Sequence, residues 1–359
     1  LLFGIQPLFS KMVLPLFGGT PGTWNTCLVF YQTMLLMGYA TSHGLIRYLG
    51  VKRQAAIHCF LFAIGFGFLP NPISSFSSFN DQPVLHLVGI LILSIGWPFW
   101  VISATAPMLQ RWFSETRHWQ AGDPYFLYSA SNLGSLTALL GYPLLIEPFT
   151  RLSQQVWFWN LGYTILFLLT FLSASILWRT PMPMPNPNPD EQNNVPPVRN
   201  SDRTRWVMLS FIPSSLLLGV TTYLTMDLAA VPLLWVIPLA LYLGTFILAF
   251  SHRNDTYHPF WLRLQPFLLA PPVILFIWGN KVPLLLGFPI HLGAFFINAM
   301  VCHGELAQRR PSPVHLTEFY FWMAVGGMAG GFFNAFLAPC LFDAPLEYQI
   351  GRASCRERV

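Results

Sequence analysis

Polar side chains recur at helical spacing within an otherwise apolar stretch of the first half of the chain. Tyr125, Tyr128, Asn132 and Ser135 are separated by three, four and three residues. That spacing predicts that they share one face of a helix. An amide without a partner in an apolar environment costs roughly 2–7 kcal/mol. The stripe therefore predicts either hydrogen bonds to a neighbouring helix or a face that contacts a ligand.

A second polar series lies in the last third of the chain. His291, Asn298 and Glu305 follow one another at intervals of seven residues and are predicted to share a helix face. Imidazole titrates near neutral pH and carboxylates attract cations, so the series fits a proton relay or a cation site. The nearby His303 and Glu318 fit equally well with a solvated loop and a helix cap, which is the alternative interpretation.

Tyr223 and Asp227 are one helical turn apart at the end of another apolar stretch. An acidic group at this position is suited to bind a cationic substrate. The alternative is that Asp227 lies in water at the end of its helix. The sequence alone leaves both open.

Four glycines near the end of the chain form two overlapping patterns of small residues spaced four apart. Such patterns allow helices to approach closely, so they predict packing, with a gating contact as the alternative. The four are Gly326, Gly327, Gly330 and Gly331.

The chain contains no nucleotide-binding glycine loop, zincin motif or nucleophile elbow. Cys27, Cys59, Cys302 and Cys340 occur singly, without disulfide or CxxC spacing. We therefore expect no cofactor, no metal site and no enzymatic activity in this polypeptide. The few basic residues form no dense cluster, which argues against nucleic-acid binding.

Long apolar segments must hold these residues. Only 9% of the residues are charged and 54% are hydrophobic, which is unlike a water-soluble domain. A helix of about 20 apolar residues crosses a bilayer while satisfying its own backbone polar groups. The sequence predicts an all-α polytopic membrane protein with a lipid bilayer around it. Its eleven predicted spans are 1–9 (partial), 22–42, 55–70, 84–106, 125–146, 156–178, 206–226, 229–250, 264–279, 283–302 and 319–342.

The cationic residues predict the orientation of these spans. Thirteen Lys and Arg residues fall in one set of alternate connections, and three fall in the other: Lys11, Arg151 and Lys281. Cationic residues near spans stay on the cytoplasmic side, so we expect the N-terminus to be cytoplasmic and the protein to lie in a bacterial inner membrane. An odd number of spans then predicts a twelfth helix that returns to the cytoplasm after residue 349.

The order of spans predicts two bundles of six helices. We expect a first bundle at 1–178 with a truncated first helix, a Pro/Asn-rich cytoplasmic linker at 179–205, and an incomplete second bundle at 206–349. Residues 350–359 read as the translation of a sequencing adaptor and are excluded from the fold. This layout is typical of transporters of the major-facilitator kind.

Several strings together resemble the membrane portion of the bacterial fused major-facilitator/spermidine-synthase proteins. The resemblance implies a cytoplasmic domain similar to spermidine synthase after the membrane region, which this chain does not include. The strings are Gln6–Gly19, Trp24–Ala40, Ser103–Phe113, Asp123–Gly134, Pro213–Leu224, Pro232–Phe250 and Cys302–Tyr320.

Three functions are consistent with these observations. The first is a membrane module that anchors such a domain or delivers a small cationic or lipidic molecule to it. The second is a stand-alone secondary transporter coupled to protons through Glu305 or a membrane histidine. The third is a structural scaffold that binds partners through the glycine-rich face. Along the proposed substrate or proton pathway, the sequence nominates Tyr125, Tyr128, Asn132, Tyr223, Asp227, His291, Asn298 and Glu305.

Overall fold

A computed structural model describes residues 1–18, 21–71, 83–180, 196–227, 234–251, 254–277 and 284–341. The described residues are helical apart from short connecting segments, and each predicted span overlaps one helix within them. A break at Gly50 divides the segment Pro21–Ile64 into two helices. Within the described residues the helices are α1 (Leu2–Phe17), α2 (21–49), α3 (51–64), α4 (Pro83–Ser114), α5 (126–149), α6 (Leu152–Arg179), α7 (Asn200–Asp227), α8 (Val236–Ala249), α9 (Asn254–Ile277), α10 (Leu284–Gln308) and α11 (316–341).

Four helical segments are long and apolar enough to cross a membrane by length and composition: Pro83–Ser114, Leu152–Arg179, Asn200–Leu224 and Leu286–Gln308. The most apolar stretch of α6 is only 22% buried. It exposes large apolar side chains such as Leu168, Phe171 and Leu172. A helix with so much exposed apolar surface needs lipid around it, which agrees with the predicted all-α polytopic membrane fold.

Two helices extend beyond the segments predicted for them. Helix α1 continues to Phe17 instead of ending near residue 9, because the Lys11 amine is paired with the Glu147 carboxylate at 2.9 Å and does not stop the helix. Helix α7 begins at Asn200, inside the predicted linker, where the Asp202 side chain accepts a hydrogen bond from the Arg199 backbone N–H at 3.3 Å. An acidic residue in the first turn stabilises a helix start. The predicted linker residues 181–195 and the adaptor-like tail lie outside the described residues.

The first half, α1–α6, meets the second half, α7–α11, along two helix pairs. Helix α2 packs against α11, and α5 packs against α8. Side-chain hydrogen bonds join the halves in both regions: Gln32 Nε2 donates to Ser214 Oγ on α7 at 3.1 Å, and Ser129 Oγ donates to the Ile247 carbonyl at 3.0 Å. The interface between the halves is therefore lined by residues of both.

The glycines of α11 divide between two neighbours. A Cβ atom on Gly326 would overlap the Val207 carbonyl oxygen of α7, and one on Gly330 would lie 2.5 Å from the Phe211 carbonyl oxygen. A Cβ on Gly331 would overlap the Gln32 side chain of α2, whereas one on Gly327 would meet nothing within 4 Å. The close approach to α7 depends on Gly326 and Gly330, so only one of the two predicted patterns forms this contact.

Three helices contain a single π-helical turn. These turns span Ile92–Gly96 in α4, Tyr142–Ile146 in α5 and Phe333–Leu337 in α11. Each ends two residues before a proline, at Pro98, Pro148 and Pro339 respectively. Proline has no N–H to donate and its ring crowds the preceding turn, so a locally wider turn accommodates it.

Candidate functional site

Three residues of the predicted polar stripe are buried, namely Tyr125 just before α5 and Tyr128 and Asn132 within it, whereas Ser135 is partly exposed. The Tyr125 hydroxyl donates to the Pro311 carbonyl of the loop before α11 at 2.9 Å. The Asn132 amide donates to the Tyr128 carbonyl of its own helix at 2.8 Å, and the Ser135 hydroxyl likewise bonds within α5. The hydrogen-bond partner across the interface is thus found for Tyr125 alone. A ligand-facing role for Tyr128 and Asn132 stays a prediction.

Tyr128 belongs to a group of aromatic rings that we call the aromatic cluster. Its ring stacks on Tyr320 at a centroid distance of 4.9 Å and meets Phe250 edge-on at 5.0 Å. The Tyr320 hydroxyl donates to Gln110 Oε1 of α4 at 2.7 Å. Aromatic pairs in such arrangements contribute about 0.5–1.5 kcal/mol beyond their buried area. The cluster comprises Tyr39 of α2, Tyr128 of α5, Phe246 of α8, Phe250 just after α8, and Phe319 and Tyr320 of α11.

Three polar contacts, which we call the polar rim, surround the aromatic cluster at one end of the helices. Asp123, before α5, pairs with Arg310, before α11, at 3.0 Å. His43 of α2 lies 3.1 Å from the Thr317 hydroxyl of α11. Arg111 of α4 donates to the Pro313 carbonyl at 3.4 Å. Each contact joins the first half to the second, so this end of the interface is closed across both halves.

Reversal of one charge at this rim is expected to weaken the closure only slightly. Asp123 and Arg310 are both about two-fifths exposed, and exposed ion pairs contribute about 0.2–1 kcal/mol. Asp123→Arg places two cations together, and the double variant Asp123→Arg, Arg310→Asp restores the attraction. Thermal unfolding in detergent should show a small loss for the single variant and recovery for the double. Equal losses in both variants would contradict a direct pairing.

The second polar series shares α10 but faces two neighbours. The His291 ring contacts Tyr223 of α7 at a centroid distance of 4.6 Å. Asn298 Oδ1 accepts a hydrogen bond from Gln265 of α9 at 2.9 Å, and Glu305 also lies on the α9 side. The seven-residue spacing therefore predicted correctly that the three residues lie in one helix. It did not predict which neighbouring helices they contact.

His258 of α9 joins this series and was missed from the sequence. It is 2% exposed, and its Nε2 lies 3.4 Å from Glu305 Oε2. Neither ring nitrogen has a well-aligned hydrogen-bond partner among the described residues. Glu305 Oε1 also accepts from Arg309 Nε at 2.6 Å. A Cβ on Gly304 would overlap the His258 ring, so the glycine makes room for the imidazole. The Glu305 carboxylate is therefore shared by a guanidinium and an imidazole, one at each oxygen.

The predicted pair Tyr223 and Asp227 is placed only in part. Tyr223 is buried against His291. Asp227 ends α7, and its side chain lies outside the described residues. Its proposed contact with a cationic substrate stays a prediction.

Neutral polar groups join the halves away from the aromatic cluster. Asn25 of α2 donates to the Thr222 hydroxyl of α7 at 3.3 Å, and Gln32 donates to Ser214. Within the second half, Asn334 in the π turn of α11 donates to the Ser215 hydroxyl of α7. No signal in the sequence singled out these amides, because their partners are more than 100 residues away. Among the described residues no group of three or more His, Cys, Asp or Glu side chains is placed to hold a metal ion.

The two halves, which meet through α2 with α11 and α5 with α8, form an all-helical polytopic fold that is similar to solved structures of the major facilitator superfamily. The chain is similar to the proton:xylose symporter XylE bound to 6-bromo-6-deoxy-D-glucose, with a TM-score of 0.58 and 14% identity, over 97% of this chain and 90% of that one. The inward-open xylose transporter XylE from E. coli gives a TM-score of 0.55 at 14% identity, with 97% and 90% covered.

A partially occluded inward-open form of the same E. coli transporter gives a TM-score of 0.54 at 15% identity, over 94% of this chain and 88% of that one. At such identities the likeness shows the fold alone. No known protein-family pattern matches the chain. No curated protein matches it either.

Proposed function

We propose that this chain is the membrane part of a secondary transporter in which the two halves rock against each other. The observation that carries the proposal is the closure of one end by the aromatic cluster and its polar rim, which draw residues from both halves. Side chains that only held one bundle together would not need partners across the interface. Alternating access requires contacts of this kind that form in one state and separate in the other.

Proton coupling is proposed through Glu305 and His258. Arg309 and His258 each contact one oxygen of the Glu305 carboxylate, so protonation of Glu305 would weaken both contacts. XylE, whose fold is similar, is a proton:xylose symporter, which supports a coupled mechanism here. The substrate class we propose first is a small cationic or lipidic molecule, with Tyr223 and Asp227 along its path. The neutral amides at the interface support an uncharged polar solute as the alternative.

Uptake into proteoliposomes under an imposed proton gradient tests this proposal, with spermidine and xylose as probes. We expect Glu305→Gln and His258→Gln to reduce uphill accumulation to the level of passive entry while exchange without a gradient persists. Glu147→Gln is the matched control, because Glu147 also pairs with a cation, Lys11, but contributes to no contact of the polar rim. Full gradient-driven uptake by both variants would remove the pair from the mechanism. Flux equal to that of protein-free vesicles for both probes would contradict the transporter proposal for these substrates.

The second candidate is the fusion-module function implied by the sequence resemblance. The sequence segments that resemble the fused proteins support this function. The similarity in fold to transporters over nearly the whole chain favours the stand-alone transporter. Genomic sequence beyond codon 349 distinguishes them, since a fusion protein requires a further span and a soluble domain.

A bacterial inner-membrane location with the N-terminus and the linker in the cytoplasm belongs to this proposal. Reporter fusions at 43–54 and 179–205 should label the same side of the membrane. Labels on opposite sides would contradict the proposed orientation.

A further inference from the structure

An open groove of about 540 Å³ lies between α7 and α10, at the same end of the helices as the polar rim. Its walls are polar at the start of α7 and apolar one to two turns further along. The residues that matter for its chemistry are Ser201, Thr204, Arg205, Met208, Leu209 and Arg309.

Two arginines give the polar end of the groove a positive character. Arg205 makes no ion pair within the part of the chain that the structure describes, and Arg309 shares Glu305 with His258. The hydroxyls of Ser201 and Thr204 line the same wall. The Thr204 hydroxyl donates to the Asn200 carbonyl at 3.0 Å, so the guanidinium groups and the Ser201 hydroxyl are the donors that a phosphate would meet. Glu305 is the one acidic residue in this lining, so the groove keeps a net positive charge.

The apolar end of the groove continues along the outer face of α7. Met208 is 51% exposed, and Ile212, four residues later, is 40% exposed. Residues four apart lie above one another on a helix, so the apolar strip points straight away from Arg205. The predicted span of α7 begins at residue 206, which places the two arginines at the membrane surface and Met208 within the hydrocarbon. A free phosphate would use the first part of this groove and leave the second part unused.

We propose that this groove binds an anionic glycerophospholipid, with the phosphate at Arg205 and Arg309 and an acyl chain along Met208 and Ile212. The charge and the polarity gradient both match that ligand. Basic pockets between transmembrane helices are known to hold anionic headgroups. The bound lipid would connect the ends of α7 and α10. This inference does not depend on the transported substrate, and it shares Arg309 and Glu305 with the proposed proton-coupling pair.

Native mass spectrometry of the purified full chain tests the proposal, with phosphatidylglycerol and phosphatidylcholine of identical acyl chains as probes. We expect phosphatidylglycerol to be retained preferentially. Arg205→Gln should reduce its retention about tenfold, the effect of one lost charge-assisted hydrogen bond. Arg309→Gln should act in the same direction. Arg199→Gln is the matched control, because Arg199 precedes the same helix, is 81% exposed and lies outside the groove.

Three results would overturn the proposal. Equal retention of the two lipids would indicate an ordinary annular lipid. Equal losses for Arg205→Gln and Arg199→Gln would exclude the groove as the site. Complete displacement of phosphatidylglycerol by millimolar inorganic phosphate would indicate a site for a soluble anion. Unchanged thermal unfolding of Arg205→Gln would show that any loss of lipid is not a loss of fold.

Discussion

Alanine at Gly326 or Gly330 is expected to lower the unfolding temperature far more than alanine at Gly327. The added methyl group at either position would run into a carbonyl oxygen of α7, and a backbone atom cannot rotate away as a side chain can. Overpacking of this kind costs about 1–3 kcal/mol per site. The double variant Gly326→Ala, Gly330→Ala should therefore separate α11 from α7 and yield little folded protein. Thermal unfolding monitored by size-exclusion chromatography in detergent measures the effect.

Gly327→Ala is the matched control because its methyl group would meet nothing within 4 Å. It changes helix propensity in the same way as the other two substitutions, and should leave stability equal or slightly higher. If the three single variants unfolded at the same temperature, the close contact of α11 with α7 would be wrong. Gly331→Ala forms an intermediate case, since its methyl group would displace only the Gln32 side chain.

Truncation of Tyr320 is expected to open the closed end of the interface. Tyr320→Ala removes the ring that stacks on Tyr128 and the hydroxyl that bonds Gln110. Loss of a buried aromatic side chain costs about 3 kcal/mol, which changes the ratio of two conformations roughly a hundredfold. The state in which the rim is separated should then be populated. Tyr320→Phe keeps the ring and should have a smaller effect, arising from the unpaired Gln110 oxygen.

Spin-label distances across the rim measure this shift. After replacement of the native cysteines, Arg117→Cys and Ser312→Cys place one label in each half, before α5 and before α11 respectively. We expect a longer distance to appear in Tyr320→Ala and to remain a minor component in Tyr320→Phe. Phe171→Ala, on the exposed face of α6, is the control for loss of an aromatic ring and should leave the distances unchanged. An unaltered distance distribution in Tyr320→Ala would contradict the role of the aromatic cluster in closure.

Hydropathy predicted the helices because a segment in lipid must pair its own backbone polar groups and carry apolar side chains. Both requirements act on the local sequence. Hydropathy also placed His291, Asn298 and Glu305 on one helix. The contacts between helices were not predictable. His258 contacts Glu305, and Gln110 accepts a hydrogen bond from Tyr320, because helices distant in sequence pack together. The glycines of α11 show the same limit. Their spacing predicted close approach, but only the position of α7 distinguishes Gly326 and Gly330 from Gly327.

Two helices extend past charged residues that lie at the edges of the predicted spans. Lys11 remains helical because Glu147 lies opposite, and Asn200 begins α7 before the last linker arginines. Charged side chains can stay helical at a membrane surface when they reach water or a counter-ion. A lone basic residue therefore limits a span less strictly than hydropathy assumes.

The π turns give α4, α5 and α11 a site of local compliance far from the rim. A wide turn lengthens the carbonyl-to-amide spacing, so the segment beyond it can tilt with little loss of backbone bonding. Helices α5 and α11 both carry residues of the aromatic cluster at their opposite ends. Bending at Tyr142–Ile146 and Phe333–Leu337 would allow the ends of α5 and α11 away from the aromatic cluster to move while Tyr128 and Tyr320 stay in contact. If the helices bend there, amide hydrogen exchange should be faster in these two π turns than in the neighbouring α-helical turns of the same helices.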